Sequence, residues 1–114
     1  MTVEELYLQG FTHRCEGRYH DARRAFAELL ARDPQHADSH WQMGLIQGFE
    51  GDFDASLITL QGIVDKHPQH VHARYDLAMT LTMLGMQEEA CEQFRAILHI
   101  DPNHENAKRQ LVYC

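Results

Sequence analysis

Pro34, Pro68 and Pro102 stand 34 residues apart, and two other sets, Gly17, Gly51 and Gly85 and His36, His70 and His104, keep the same interval. Apolar positions share it: Phe26, Leu60 and Phe94, then Leu29, Ile63 and Ile97, then Leu30, Val64 and Leu98. Small residues complete the register with Gly10, Gly44 and Ala78, and with Ala22, Ser56 and Ala90. A chain that repeats both its turn formers and its apolar residues at one period is an array of units. Each unit must bury its apolar face against a neighbour, because one helical hairpin cannot bury its own.

Within a unit the signals are those of two helices. Glycine supplies the left-handed residue of a helix C-terminus, and Asp52 stands ready to cap the helix that follows. Proline forces its predecessor out of helical geometry, so Asp33, His67 and Asp101 end the second helices. Thr2 and Glu5 form a capping box at the first start. The pattern predicts helices over 3–16, 19–32, 37–50, 53–66, 71–84 and 87–100. A shorter seventh, over about 105–113, uses Ala107 and Leu111 to cover the last repeat and Lys108, Arg109 and Gln110 to face water. It stops early against 71–84, as expected of either a short natural cap or a piece of a longer protein.

The totals fit one small domain of 114 residues, 44% apolar and 24% charged. A net charge of −7 argues against nucleic acid as partner, since phosphate binding needs clustered Lys and Arg. No apolar run approaches the roughly 18 residues of a membrane span, and the acidic start from Met1 to Glu5 is unlike a signal peptide. Cys15, Cys91 and Cys114 are odd in number, widely spaced and form no C-x-x-C. Neither a disulfide framework nor a thiolate metal site is therefore expected, and the expected compartment is cytoplasmic.

The pattern resembles the tetratricopeptide repeat (TPR) family over essentially the whole chain. The residues that carry it are Leu6, Gly10, Ala22, Phe26 and Pro34 in the first repeat and Leu77, Ala78, Leu81, Ala90, Phe94 and Pro102 in the third. The second departs, with His40 at the site of Leu6 and Ser56 and Leu60 at those of Ala22 and Phe26. The resemblance implies an all-α fold, a right-handed α-α superhelix of three TPR repeats (about 3–34, 37–68 and 71–102) plus a short C-terminal capping helix (104–114), in a single domain over 1–114. It also implies a concave face, lined mainly by first helices, that receives a peptide or helix.

Three columns of residues face that groove in the family register: Tyr7, Trp41 and Tyr75; Phe11, Leu45 and Met79; Cys15, Phe49 and Met83. Within each helix they sit at i, i+4 and i+8 and so form one stripe. Stripes of this kind are ordinarily core. Here Met43, Gly44, Leu77, Ala78 and Leu81 already serve the interhelical contacts, which frees the stripe to be a peptide-binding groove where aromatic anchors dominate. The expected polar contacts are Glu4, Asp38, Gln42, His72 and Asp76. Family cochaperones hold the C-terminal carboxylate of Hsp70 or Hsp90 with Lys, Arg and Asn; the matching positions are Tyr7, Phe11, Gln42, His72 and Asp76, so that clamp is absent. Glu4, Asp38 and Asp76 instead favour a neutral or basic ligand with apolar side chains.

Nine histidines raise the question of a metal, with His67, His70 and His72 close together and His36 and His40 four apart. The repeated histidines fall in successive units, too distant to share an ion, and no Cys or carboxylate spacing completes a set. No metal and no cofactor are expected. The chain holds no G-x-S-x-G, phosphate loop or H-E-x-x-H, and Cys15 with His13 points two ways from one helix, so no catalytic residue is assigned. The expected function is a non-catalytic protein-interaction module, an adaptor, assembly factor or chaperone, with another protein as partner. The alternatives are a self-associating scaffold, hence a possible homo-oligomer, or a TPR segment of a longer regulatory protein. Membrane insertion is not expected.

Overall fold

Glycine and proline turns divide the chain into seven helices in the computed structural model, which describes residues 1–114. They are α1 (Val3–Cys15), α2 (Tyr19–Arg32), α3 (Ala37–Phe49), α4 (Phe53–Lys66), α5 (Val71–Met83), α6 (Gln87–Ile100) and α7 (Glu105–Leu111). The turns are repeated chemistry. Gly17, Gly51 and Gly85 take φ of 77°, 85° and 78°, which lets the next amide reach back past the helix end. Arg18 N donates to the His13 carbonyl, Asp52 N to Gln47 and Met86 N to Leu81, closing α1, α3 and α5 one residue before the predicted ends.

Histidine opens the helix after each proline turn. Nδ1 of His36, His70 and His104 accepts from the amides of Ser39, Ala73 and Ala107 at 3.2, 3.0 and 3.1 Å. Asp52 caps α4 through the Ala55 amide, and Thr2 and Glu5 form the capping box of α1. In the second and third repeats the position of Leu6 is polar but occupied: His40 Nε2 meets the Pro34 carbonyl at 2.8 Å, and Arg74 donates to the Pro68 carbonyl.

Consecutive helices pack antiparallel, and the close approach within α1–α2 depends on a missing side chain. A Cβ on Gly10 would lie 2.7 Å from the Phe26 ring. The deepest core runs from α4 through α7, joining Leu60, Leu77, Phe94, Ile97 and Ala107; a separate cluster of Ala22, Phe26 and Ile46 ties α2 to α3. The first helices α1, α3 and α5 touch one another more than the second helices do, so the array, 44 Å long, curves toward them.

The cysteine expectation is overturned. Cys91 on α6 is bonded to Cys114 across 23 residues, with Cα atoms 6.0 Å apart; Cys15 is free and exposed. The cause lies at α7, which ends at Leu111, two residues before its predicted end. The amides of Val112, Tyr113 and Cys114 turn onto carbonyls three residues back, and this tighter turn carries the last cysteine onto the flank of α6. No helix is long and apolar enough to cross a membrane.

Candidate functional site

The three predicted columns have different environments. Tyr7, Trp41 and Tyr75 are half-buried and form seams between repeats. Each packs beside the capping histidine of the following unit: Tyr7 with His36 at 5.6 Å, Trp41 with His70 at 5.8 Å and Tyr75 with His104 at 5.6 Å between ring centroids. Trp41 also stacks on His72 at 5.0 Å and 18°. The columns nearer the helix C-termini are more open: Phe11 is 37% exposed, Phe49 54% and Met83 62%, Cys15 is exposed, and Leu45 and Met79 are half-buried.

Among the expected polar contacts, Asp76 is the best placed. Its Oδ2 accepts from Trp41 Nε1 at 2.7 Å, a bond from the fifth helix to the third. Burial pushes its carboxyl above the usual carboxylate range, and the Trp41 hydrogen bond, His72, Arg14 and His70 offset this only in part. Asp38 is already engaged, 2.9 Å from His70 Nε2; because His70 Nδ1 accepts from Ala73, Nε2 carries the proton and donates. Gln42 is only 1% exposed and donates to the Tyr7 hydroxyl at 3.0 Å, while its Oε1 is buried without a partner. It is a strut beneath the groove and does not face it. Burial likewise raises the Tyr7 hydroxyl above its usual value, with the Gln42 bond opposing. Glu4 and His72 are exposed.

Arg14 lies outside the three columns yet belongs to the same face. Its guanidinium lies 5.1 Å from the centre of the Phe11 ring and 5.8 Å from that of Phe49, joining the first two rungs, and its Nε is buried with no partner. Helical spacing contained the signal, since Arg14 follows Phe11 by three and Tyr7 by seven. Between α3, α4 and α5 the stripe deepens into a cleft of ≈ 290 Å³, bounded by Leu45, Phe49, Met79 and Met83 with Asp76 in its wall. A further cleft of ≈ 220 Å³ lies on the outer side at His40, Ile58 and His67, away from every stripe residue.

Tetratricopeptide repeat models match residues 3–36 and 42–105. The chain belongs to the tetratricopeptide repeat family. Solved TPR structures share the fold at low identity. The crystal structure of MamA is 21% identical with a TM-score of 0.85, over 96% of this chain and 64% of that one. The type III secretion chaperone SycD of Yersinia enterocolitica, in complex with a peptide of the translocator YopD, is 18% identical with a TM-score of 0.87, over 97% of this chain and 90% of that one. The TPR2B domain of yeast Sti1, in a complex with pHsp70, is 18% identical with a TM-score of 0.84, over 96% and 93%. No curated protein sequence matches. This TPR chain spans 64% of the MamA structure's length, and the fold is an all-α helical repeat solenoid.

Proposed function

We propose that the protein is a non-catalytic interaction module that holds a peptide or helix of another protein along α1, α3 and α5. One observation carries this reading: Phe11, Phe49 and Met83 stay open on a shared face although the core is closed by other residues. Exposed apolar side chains gathered on one face mark a protein-interaction site, and aromatic anchors dominate binding at such sites. SycD and Sti1, solved with peptide and pHsp70 respectively, give the same fold this kind of use.

Trp41 is unsuited to testing the groove, because it also packs on the core and holds Asp76. Phe49→Ser with Met83→Ser removes exposed groove surface and should leave helical circular dichroism and melting unchanged. The expected result is that a partner captured and identified with the wild-type protein is lost with this variant. Equal capture by both proteins places binding elsewhere, and a lower melting temperature makes the stripe part of the core.

A further inference from the structure

Gly48 lines the cleft between α3, α4 and α5. The equivalent position carries Arg14 in the first repeat and Thr82 in the third. A Cβ on Gly48 would meet only Ser56 Oγ, at 3.6 Å, so the space is open. Leu45, Phe49, Phe53, Leu60, Met79 and Met83 give it mostly apolar walls, Ser56 and Thr80 add hydroxyls, and Asp76 is the single ionisable group in the lining.

Asp76 is half satisfied. Oδ2 accepts the Trp41 indole proton, and Oδ1 accepts from no protein donor. No Lys, Arg or His forms an ion pair with it, whereas Glu16, Glu28, Glu50 and Glu105 all have cationic partners. The groups that act on it through space are Arg14 from α1 and His70 and His72 from the start of α5; burial outweighs them. An apolar occupant would strip the remaining water from the carboxylate and return nothing, which is costly. A cationic occupant supplies the missing charge, and a chain carrying net charge of −7 attracts one.

We infer that this cleft seats one lysine or arginine side chain of the bound peptide, its aliphatic stem along Leu45 and Met79 and its charged head at Asp76 Oδ1. Such side chains lay their methylenes on apolar walls while the head finds a polar partner. The inference rests on the groove being the binding surface and names its ligand chemistry: a basic residue flanked by apolar ones.

Trp41 is the only tryptophan and bonds directly to Asp76, so its fluorescence reads the cleft. The probes are four pools of capped heptapeptides with Lys, Arg, norleucine or Glu at the centre and flanks drawn from Leu, Met, Ala and Ser. Titration should show the Lys and Arg pools binding about tenfold more tightly than the norleucine pool, an advantage that shrinks as salt rises from about 0.05 to about 0.5 M. Asp76→Asn keeps an acceptor for Trp41 and should bring the pools within about twofold; Gly48→Leu, which fills the cleft, should abolish binding of all of them. Norleucine equal to or better than lysine, or glutamate best, overturns the cationic seat while leaving the groove reading intact. No binding by any pool removes both. If Asp76→Asn does not fold, the wild-type ranking and its salt dependence decide alone.

Discussion

The two junctions between repeats are built differently. The second and third repeats share one continuous core, in which Leu60 and Val64 of α4 meet Leu77 and Leu81 of α5, and Phe94, Ile97 and Ala107 extend it into the cap. The first repeat joins the second through the small cluster of Ala22, Phe26 and Ile46, the Gln42–Tyr7 hydrogen bond and an exposed Arg23–Glu50 ion pair, a kind of contact that adds little. Stability in a repeat array is a sum of unit and interface contributions. The cleft with Asp76 thus sits on the well-joined half, while Phe11 and Arg14 approach it from a unit held by fewer buried groups.

The largest effects should come from the two buried phenylalanines at equivalent positions. Phe94→Ala leaves a cavity in the shared core and should cost about 3–5 kcal/mol, lowering the global transition. Phe26→Ala makes a similar cavity within α1–α2, and there the loss should be local. Native-state hydrogen exchange is expected to show α1 and α2 opening while amides of α4, α5 and α6 keep their protection. Equal loss of protection along the chain would mean the three repeats unfold as one unit and the comparison between junctions is empty.

The disulfide adds to the same asymmetry, because it fastens the cap to the half that is already better joined. Closing a loop across 23 residues restricts the unfolded chain by about 3 kcal/mol on the loop-entropy account. Reduction, or Cys114→Ser, should therefore lower the melting temperature and expose α7 first, with one reactive thiol, Cys15, in the oxidised protein. Three reactive thiols after air oxidation, or identical melting of both forms, would sink this. Disulfides persist in oxidising surroundings, so the cysteine count no longer supports a cytoplasmic location.

The period of 34 makes the hairpins and core columns legible, because turn glycines, prolines and apolar positions recur whenever the local geometry recurs; the histidine caps recur at the same interval, but histidine is not among the usual capping residues. Features that belong to one repeat are not legible this way. Arg14 has Gly48 and Thr82 as its counterparts, so aligning repeats hides it. Register places Gln42 on the groove, yet it is buried and donates to the Tyr7 hydroxyl. Cys114 reaches Cys91 through the tight turn after Leu111, a three-dimensional accident of the terminal turn with no sequence period to announce it.

The smallest expected effect bears most directly on why the well-joined half contains a poorly satisfied carboxylate. Burial raises the Asp76 carboxyl above its unfolded value, so over the interval between the two values the folded protein holds a proton that the unfolded chain has released. That contribution to stability is full below the ordinary carboxylate range and is lost as pH rises through the raised value. At neutral pH the charged group therefore opposes folding. Asp76→Asn removes the charge, retains an acceptor for Trp41, and should raise stability at pH 7 by about 1 kcal/mol or less. The gap should close as pH falls toward the ordinary carboxylate range. Melting curves of both proteins across that range test it, and taking the difference cancels histidines that titrate alike in both. A variant less stable at pH 7, or a gap independent of pH, would make Asp76 an ordinary structural acceptor. A gap that closes on acidification identifies a carboxylate retained at a cost in stability, as expected of a group whose partner arrives with the ligand.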